Sequence, residues 1–177
     1  MAKVMKRTAV LSIVFTILFG ILNMKYEDGV WLPIAITFGT ISYHLWMRLA
    51  VGELYNRILQ NHVNYSHKWF QVSQSELRLY EKLKVKKWKS HMPTYDSTAF
   101  DPRRHTWDEI AQAMCQSELV HETIILLSFV PILASICFGA LPVFVITSIL
   151  SAGYDGMFAM MQRYNRPRIV RMIKGNR

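Results

Sequence analysis

The chain has 177 residues, 51% hydrophobic and 19% charged, with a formal net charge of +9. Those totals suit a soluble domain or a membrane protein, but the distribution separates the two. Residues 8–24, 30–47 and 123–154 contain no Asp, Glu, Lys or Arg, and the last stretch is too long for one buried core helix, which excludes an ordinary soluble domain.

A helix crosses a hydrocarbon core of roughly 30 Å with about 20 mainly apolar residues. On that measure the sequence predicts four spans, at about 8–24, 30–52, 119–137 and 141–161. The first has no small-residue cleavage pattern before Lys25 and a second span follows at once, so it reads as retained rather than as a secretory signal. Lys25 to Gly29 forms one tight turn. Phe138, Gly139, Ala140 and Leu141 form another, with Pro142 suited to open the next helix. The expected fold class is an all-α integral membrane protein of one domain, its four transmembrane helices arranged as two hairpins. A central loop at about 53–117 joins them, and a basic tail, 162–177, follows the last span.

Orientation follows from Lys and Arg near the span ends, which remain on the cytoplasmic side. Lys3, Lys6 and Arg7 precede the first span; Arg163, Arg166, Arg168, Arg171, Lys174 and Arg177 follow the last, and Lys25 lies on the other side. Both termini and the central loop are therefore expected in the cytoplasm. Basic residues beside a span also attract anionic lipid, so the positive charge points to membrane lipids as partners and not to nucleic acid. Cys115 and Cys137 fall at opposite ends of the third span, a placement that gives no disulfide framework.

The central loop carries Trp69, Phe70, Tyr80, Trp88, Tyr95, Phe100 and Trp107, a density of aromatics typical of the headgroup level. Ser73-Gln74-Ser75-Glu76 reads as a capping box opening a helix to about Lys87. Leu77, Tyr80, Leu83 and Lys84 share one of its faces, the pattern of an interfacial amphipathic helix. Pro93 and Asp101-Pro102 break the chain. Thr106-Trp107-Asp108-Glu109 is a second capping box, predicted to start a helix that enters the third span without interruption.

On that helix Glu118, His121 and Glu122 stand three and four residues apart, within reach of one another. Ionisable groups at a span are costly and usually face a cavity or the bundle interior. A histidine oriented by a carboxylate can act as the general base for acyl transfer to a hydroxyl; the structural alternative is solvation among the headgroups. Counted from the turn at Gly139, Glu118 and Gln162 come to nearly the same level on antiparallel helices, and His44 and His121 come to similar depths. Glu118-Leu119-Val120-His121 is also one copy of the Glu-x-x-His pattern of di-iron bundles, which use it twice. His44, His121, Glu118 and Asp155 around one ion are therefore a second reading, a metal-dependent lipid-modifying enzyme. A non-catalytic lipid-binding membrane partner is a third.

Four motifs follow in order: Lys86-Lys87-Trp88-Lys89; Asp101 with Arg103, Arg104 and His105; Glu118-Leu119-Val120-His121; and Gln162-Arg163-Tyr164-Asn165-Arg166-Pro167-Arg168. The series resembles the bacterial glycosyl-4,4'-diaponeurosporenoate acyltransferase family, named for the last step of staphyloxanthin synthesis, over about residues 76–172. The resemblance implies an enzyme of the bacterial plasma membrane that esterifies a sugar hydroxyl of a lipid-like glycoside with a fatty acyl chain. The donor would be a thioester, such as acyl-CoA or an acyl carrier protein, or a phospholipid, and a metal cofactor is not favoured. In that picture His121 takes the hydroxyl proton and Glu118 orients the imidazole. Arg163, Arg166 and Arg168 with Lys87 and Lys89 meet a donor phosphate or the developing oxyanion, their match to phosphate resting on the planar guanidinium. Gln162 and Asn165 bond sugar hydroxyls, and Trp88, Arg104 and His105 complete the substrate-binding set. The same residues have plainer readings: the arginines as topology anchors, Trp88 and Trp107 as interface anchors, and Asn165 with Pro167 as a helix end. Glu122 stands where the family pattern has an aromatic residue. Asp155, between Gly153 and Gly156, is a carboxylate in a span otherwise apolar and small.

Overall fold

The computed structural model describes residues 2–26, 29–90, 92 and 98–175. Asp28, Pro93, Tyr95 and Arg177 lie outside these, as does the side chain of Lys89. Among the described residues the chain is entirely helical. Its long helices are α1 (Ala2–Lys25), α2 (Trp31–Leu59), α4 (Trp107–Leu127) and α6 (Leu141–Gly175), with α3 (Gln74–Lys82) and the one-turn α5 (Ser135–Phe138) between them.

Three described stretches are long and apolar enough to cross a membrane: Lys3–Lys25, Trp107–Phe138 and Leu141–Gly175. The anticipated second span, α2, has the length, but buried positions on it are polar: Thr40 and His44 on one face, with Arg48 one turn on, and Ser42 on the other. That polarity lowers its hydropathy and serves the site described below.

α1 runs antiparallel to α2. Phe15 and Phe19 stack against Phe38, Phe19 also against Trp31, and Trp46 Nε1 donates to the Ala9 carbonyl at 3.2 Å. α4 runs antiparallel to α6, with α2 against α4 through Met47, Val51 and Ile124. The turn between α5 and α6 holds Gly139 at φ +67° and Ala140 at φ +53°; the first is natural to glycine, the second is strained.

Several boundaries differ from expectation. α4 does begin on the Thr106–Glu109 capping box, with both reciprocal bonds formed, but it does not run unbroken to 137. Pro131 has no N–H for the carbonyl four residues back, so the chain tightens into a 3-10 turn at Val130–Ala134, and the freed Leu127 carbonyl accepts instead from Tyr43 Oη at 2.9 Å. Pro167 does not end α6, which continues to Gly175 and keeps Arg163, Arg166 and Arg168 on one rigid helix rather than in a tail. α3 stops at Lys82, well before Lys87. Lys84 then adopts φ +54°, and a 3-10 turn at Val85–Ser90 follows. The apolar face of α3 meets protein: Tyr80 is buried with Val85 against Tyr164 of α6, with Leu77 and Trp88 beside them, while Leu83 is exposed.

Candidate active site

Opposite numbering along α4 and α6 brings their ionisable residues into two clusters at successive depths. The outer one is an ionic clamp. Glu118 is fully buried; Arg163 Nη1 donates to its Oε1 at 2.5 Å and Arg166 Nη1 to its Oε2. Arg163 also grips Glu76 of α3 through Nε, 2.5 Å to Oε1, and Nη2, 3.2 Å to Oε2. Its remaining bonds go to the carbonyls of Trp69 and Gln71, while Arg166 donates to the Phe70 carbonyl at 2.5 Å and lies over the Phe70 ring. Two carboxylates thus balance two guanidiniums, the condition under which charge stays buried, and the segment around 68–76 is fastened to the bundle.

This geometry corrects two expectations. Glu118 does not orient His121, because both its oxygens are held by arginines across the helix seam. Arg163 and Arg166 are not open to a phosphate, because the donors of Arg163 are engaged by protein acceptors and Arg166 is buried. Gln162, at the level of Glu118 as counted, donates to Ser117 Oγ at 3.2 Å, and Asn165 bonds back to the Met161 carbonyl.

The inner cluster holds His121. Its Nδ1 lies 2.9 Å from Oδ1 of Asp155, and its ring stacks on Phe158 with centroids 4.8 Å apart. Asp155 is 1% exposed, and its second oxygen accepts from Arg48 of α2. Arg48 also donates to the His44 carbonyl at 3.0 Å and to Ser151 Oγ at 2.8 Å, and Ser151 Oγ lies 3.1 Å from His44 Nδ1 and 3.0 Å from Ser128 Oγ. The departure at Asp155 falls here, where it holds the imidazole; Glu122 lies on the side of the clamp, accepting from Trp69 Nε1 at 2.9 Å, with the Trp69 carbonyl held by Arg163. The network places His44 near the His121 layer, linked through Ser151, Arg48 and Asp155.

Arg48 donates to one oxygen of Asp155 and the other faces His121 Nδ1, so the carboxylate is the acceptor of their bond, Nδ1 is the donor and Nε2 carries the lone pair. Among the described residues Nε2 makes no hydrogen bond, so the imidazole is oriented and one nitrogen is available to accept a proton. Among the described residues no three His, Cys, Asp or Glu side chains converge as metal ligands; Glu118 and Asp155, two of the four expected to do so, are each bonded by arginine.

The remaining expected residues lie elsewhere. Arg104 is exposed, and His105, 3.6 Å from Glu109, stands just before the N-cap of α4, roughly 24 Å from His121 along the helix axis. Lys87, with Lys84, Lys86, Tyr80 and Tyr164, lines a cleft of about 220 Å³; Trp88 packs beneath it, and Arg168 covers the Tyr164 ring. Arg48 was missed by the sequence reading. Its signal is a lone cation one turn after His44 inside the second span, a counter-charge for the lone carboxylate Asp155 in the fourth.

The clamp predicts a pH dependence. Burial pushes the Glu76 carboxyl up, but bonds from Arg163 and Tyr80 and the Arg163 charge outweigh it, so the net shift is downward from 4.5. Burial and the Glu76 bond raise Tyr80 to about 12. A depressed carboxylate stabilises above its unfolded value and ceases to as pH falls through the folded one; a raised phenol stabilises below 10 and ceases to as pH rises through about 12. Limited proteolysis between α2 and α4 should therefore be slow from about pH 5 to 10 and accelerate on the acid side as Glu76 protonates. Equal protection at pH 3 would show that Glu76 does not hold this segment.

Fold and site together define an all-α protein of membrane-crossing length and hydropathy, with a buried, charge-paired polar centre in its helix seam. The chain belongs to the glycosyl-4,4'-diaponeurosporenoate acyltransferase family, whose model matches residues 66–175. The match takes in the clamp, His121 and Asp155, and leaves α1 and α2, with Arg48 and His44, outside it. No curated protein and no solved structure matches the chain.

Proposed function

We propose that this protein is a multi-pass enzyme of the bacterial plasma membrane that esterifies a sugar hydroxyl of a lipid-linked glycoside with a fatty acyl group. α2 serves as a fourth span, its polar face turned to α4 and α6, and both termini and the segment between α2 and α4 face the cytoplasm. The observation that carries the reading is the His121–Asp155 pair with Nε2 unpartnered, in a chain of an acyltransferase family.

The acceptor hydroxyl donates its proton to His121 Nε2 as its oxygen attacks the acyl carbonyl. Asp155 holds Nδ1–H and stabilises the imidazolium so formed. The tetrahedral intermediate expels the thiolate of an acyl-CoA or acyl carrier protein donor, and the imidazolium returns the proton to it, leaving ester and free thiol. With Arg163 and Arg166 engaged, the donor phosphate is assigned to the cleft lined by Lys84 and Lys86, beside Arg168. No metal takes part in these steps.

Purified protein incubated with an acyl thioester and a lipid-linked glucoside should yield a product heavier by one acyl group, with release of one thiol per ester. Production of that ester at the wild-type rate by His121→Ala would remove the general base from this scheme, and no product with any thioester would remove the reaction.

A further inference from the structure

One polar contact beside the site serves neither the clamp nor the His121–Asp155 pair. Trp69 projects from the 3-10 turn Lys68–Phe70, 57% of its surface exposed, yet its position is defined at three points. Its backbone N–H donates to His67 Nδ1 at 3.3 Å, its carbonyl accepts from Arg163 at 3.2 Å, and its indole N–H donates to Glu122 Oε2 at 2.9 Å. A tryptophan serving as an interface anchor keeps its polar edge for headgroups and water. Here that edge is turned into the protein, and the apolar ring is what remains outside.

Glu122 directly follows His121 on α4 and is half-buried. Its Oε2 takes the indole proton, while Oε1 accepts no hydrogen bond among the described residues. A carboxyl oxygen left without a protein partner fits a hydroxyl. A fixed aromatic face and a carboxylate oxygen open to a hydroxyl, with the imidazole one residue back on α4 and about 100° round the helix, together match a pyranose: an apolar C–H face with hydroxyls around its rim.

We propose that Trp69 and Glu122 form a pyranose subsite beside His121, the Trp69 ring stacking on one sugar face and Glu122 Oε1 accepting a sugar hydroxyl. The proposal rests on the acyl-transfer reading for its substrate class and adds where the sugar of the acceptor is held. Glu122 fixes which hydroxyl faces Nε2, and Trp69 supplies the affinity. The ionic clamp acquires a further effect, since Arg163 holds the Trp69 backbone and so sets the position of the ring.

The test separates sugar binding from chemistry. The full chain is placed in detergent-free lipid nanodiscs without acyl donor and titrated with octyl glucoside below its micellar concentration, with octanol as the chain alone. Binding is followed by equilibrium dialysis of radiolabelled ligand with the uptake of empty nanodiscs subtracted, a readout that does not depend on Trp69. Wild type should bind the glucoside better than octanol, Trp69→Ala should bind it at least about tenfold more weakly, as expected for loss of an aromatic anchor, and Trp69→Phe, which keeps a ring, should recover part of the loss. Glu122→Leu should weaken the glucoside and leave octanol unchanged. In the transfer assay Trp69→Ala should raise KM for the glucoside about tenfold with KM for the thioester unchanged. Equal binding of octanol and octyl glucoside, or wild-type glucoside affinity in Trp69→Ala, overturns the subsite and makes Trp69 a lipid-facing anchor. Glucoside binding that needs Trp69, with no ester formed from any thioester, supports the subsite and overturns the reaction.

Discussion

Asp155→Asn is expected to lower kcat for acyl transfer by about ten-thousand-fold while KM for donor and acceptor changes little, because an amide favours the wrong imidazole tautomer and no longer balances the imidazolium. In the proposed mechanism the carboxylate oxygen 2.9 Å from Nδ1 does two things at once: it keeps the lone pair on Nε2, and it stabilises the charge that His121 gains in the transition state. Because Arg48 bonds the other oxygen, the same substitution leaves a largely buried guanidinium without its counter-ion. Thermal unfolding and an Arg48→Met, Asp155→Asn double variant separate the two effects. If charge imbalance were the whole effect, the double variant would recover activity; if orientation dominates, it recovers stability alone. A single Asp155→Asn variant within tenfold of wild-type kcat would mean that His121 acts without a carboxylate partner.

Glu118→Leu is expected to destabilise the protein by about 3–5 kcal/mol, the usual result of removing one side of a buried ion pair. Arg166, 2% exposed, would be left facing an apolar wall with its charge uncompensated. Arg166→Leu is expected to do the reverse, leaving Glu118 with Arg163 alone. The double variant Glu118→Leu, Arg166→Leu removes one charge of each sign, leaves the Glu76–Arg163 pair standing, and should be clearly more stable than the sum of the single losses predicts. Denaturation in mild detergent, followed through the Trp69 and Trp88 environments, measures this. Losses that simply add would mean that the two residues do not interact in solution as they do across this seam.

Both results turn on how buried charge is distributed, and that distribution was only partly legible beforehand. Glu118, His121 and Asp155 stood out as ionisable residues at or within apolar runs, where desolvation makes each of them conspicuous. Levels along the helices were also readable, because rise per residue is fixed and the turn at Gly139 sets the origin; Ser117 beside Gln162 and Glu118 beside Arg163 agree with that count. What level alone does not give is azimuth. Glu118 and His121 share a helix face by spacing, yet a rotation of some tens of degrees decides that one carboxylate meets two arginines and the other meets the imidazole.

Proline and loop residues show the same division. Pro131 and Pro167 carry the same missing N–H, but the first breaks its helix where Tyr43 of α2 takes up the released carbonyl, while the second lies inside a helix that goes on. Trp69, Phe70 and Glu76 carried no site signal, because their role depends on Arg163 and Arg166, some ninety residues later, reaching back to them.

The sequence by itself determined the all-helical class, the apolar runs, the capping box at Thr106 and the family, since each follows from composition, spacing or ordered motifs along the chain. Only the tertiary structure decided which carboxylate serves His121, which arginines are held in the clamp, and that Arg48 of α2 completes the inner cluster. Those pairings are settled by helix rotation and by long-range contacts, and a buried charge takes whichever partner the packing brings within bonding distance.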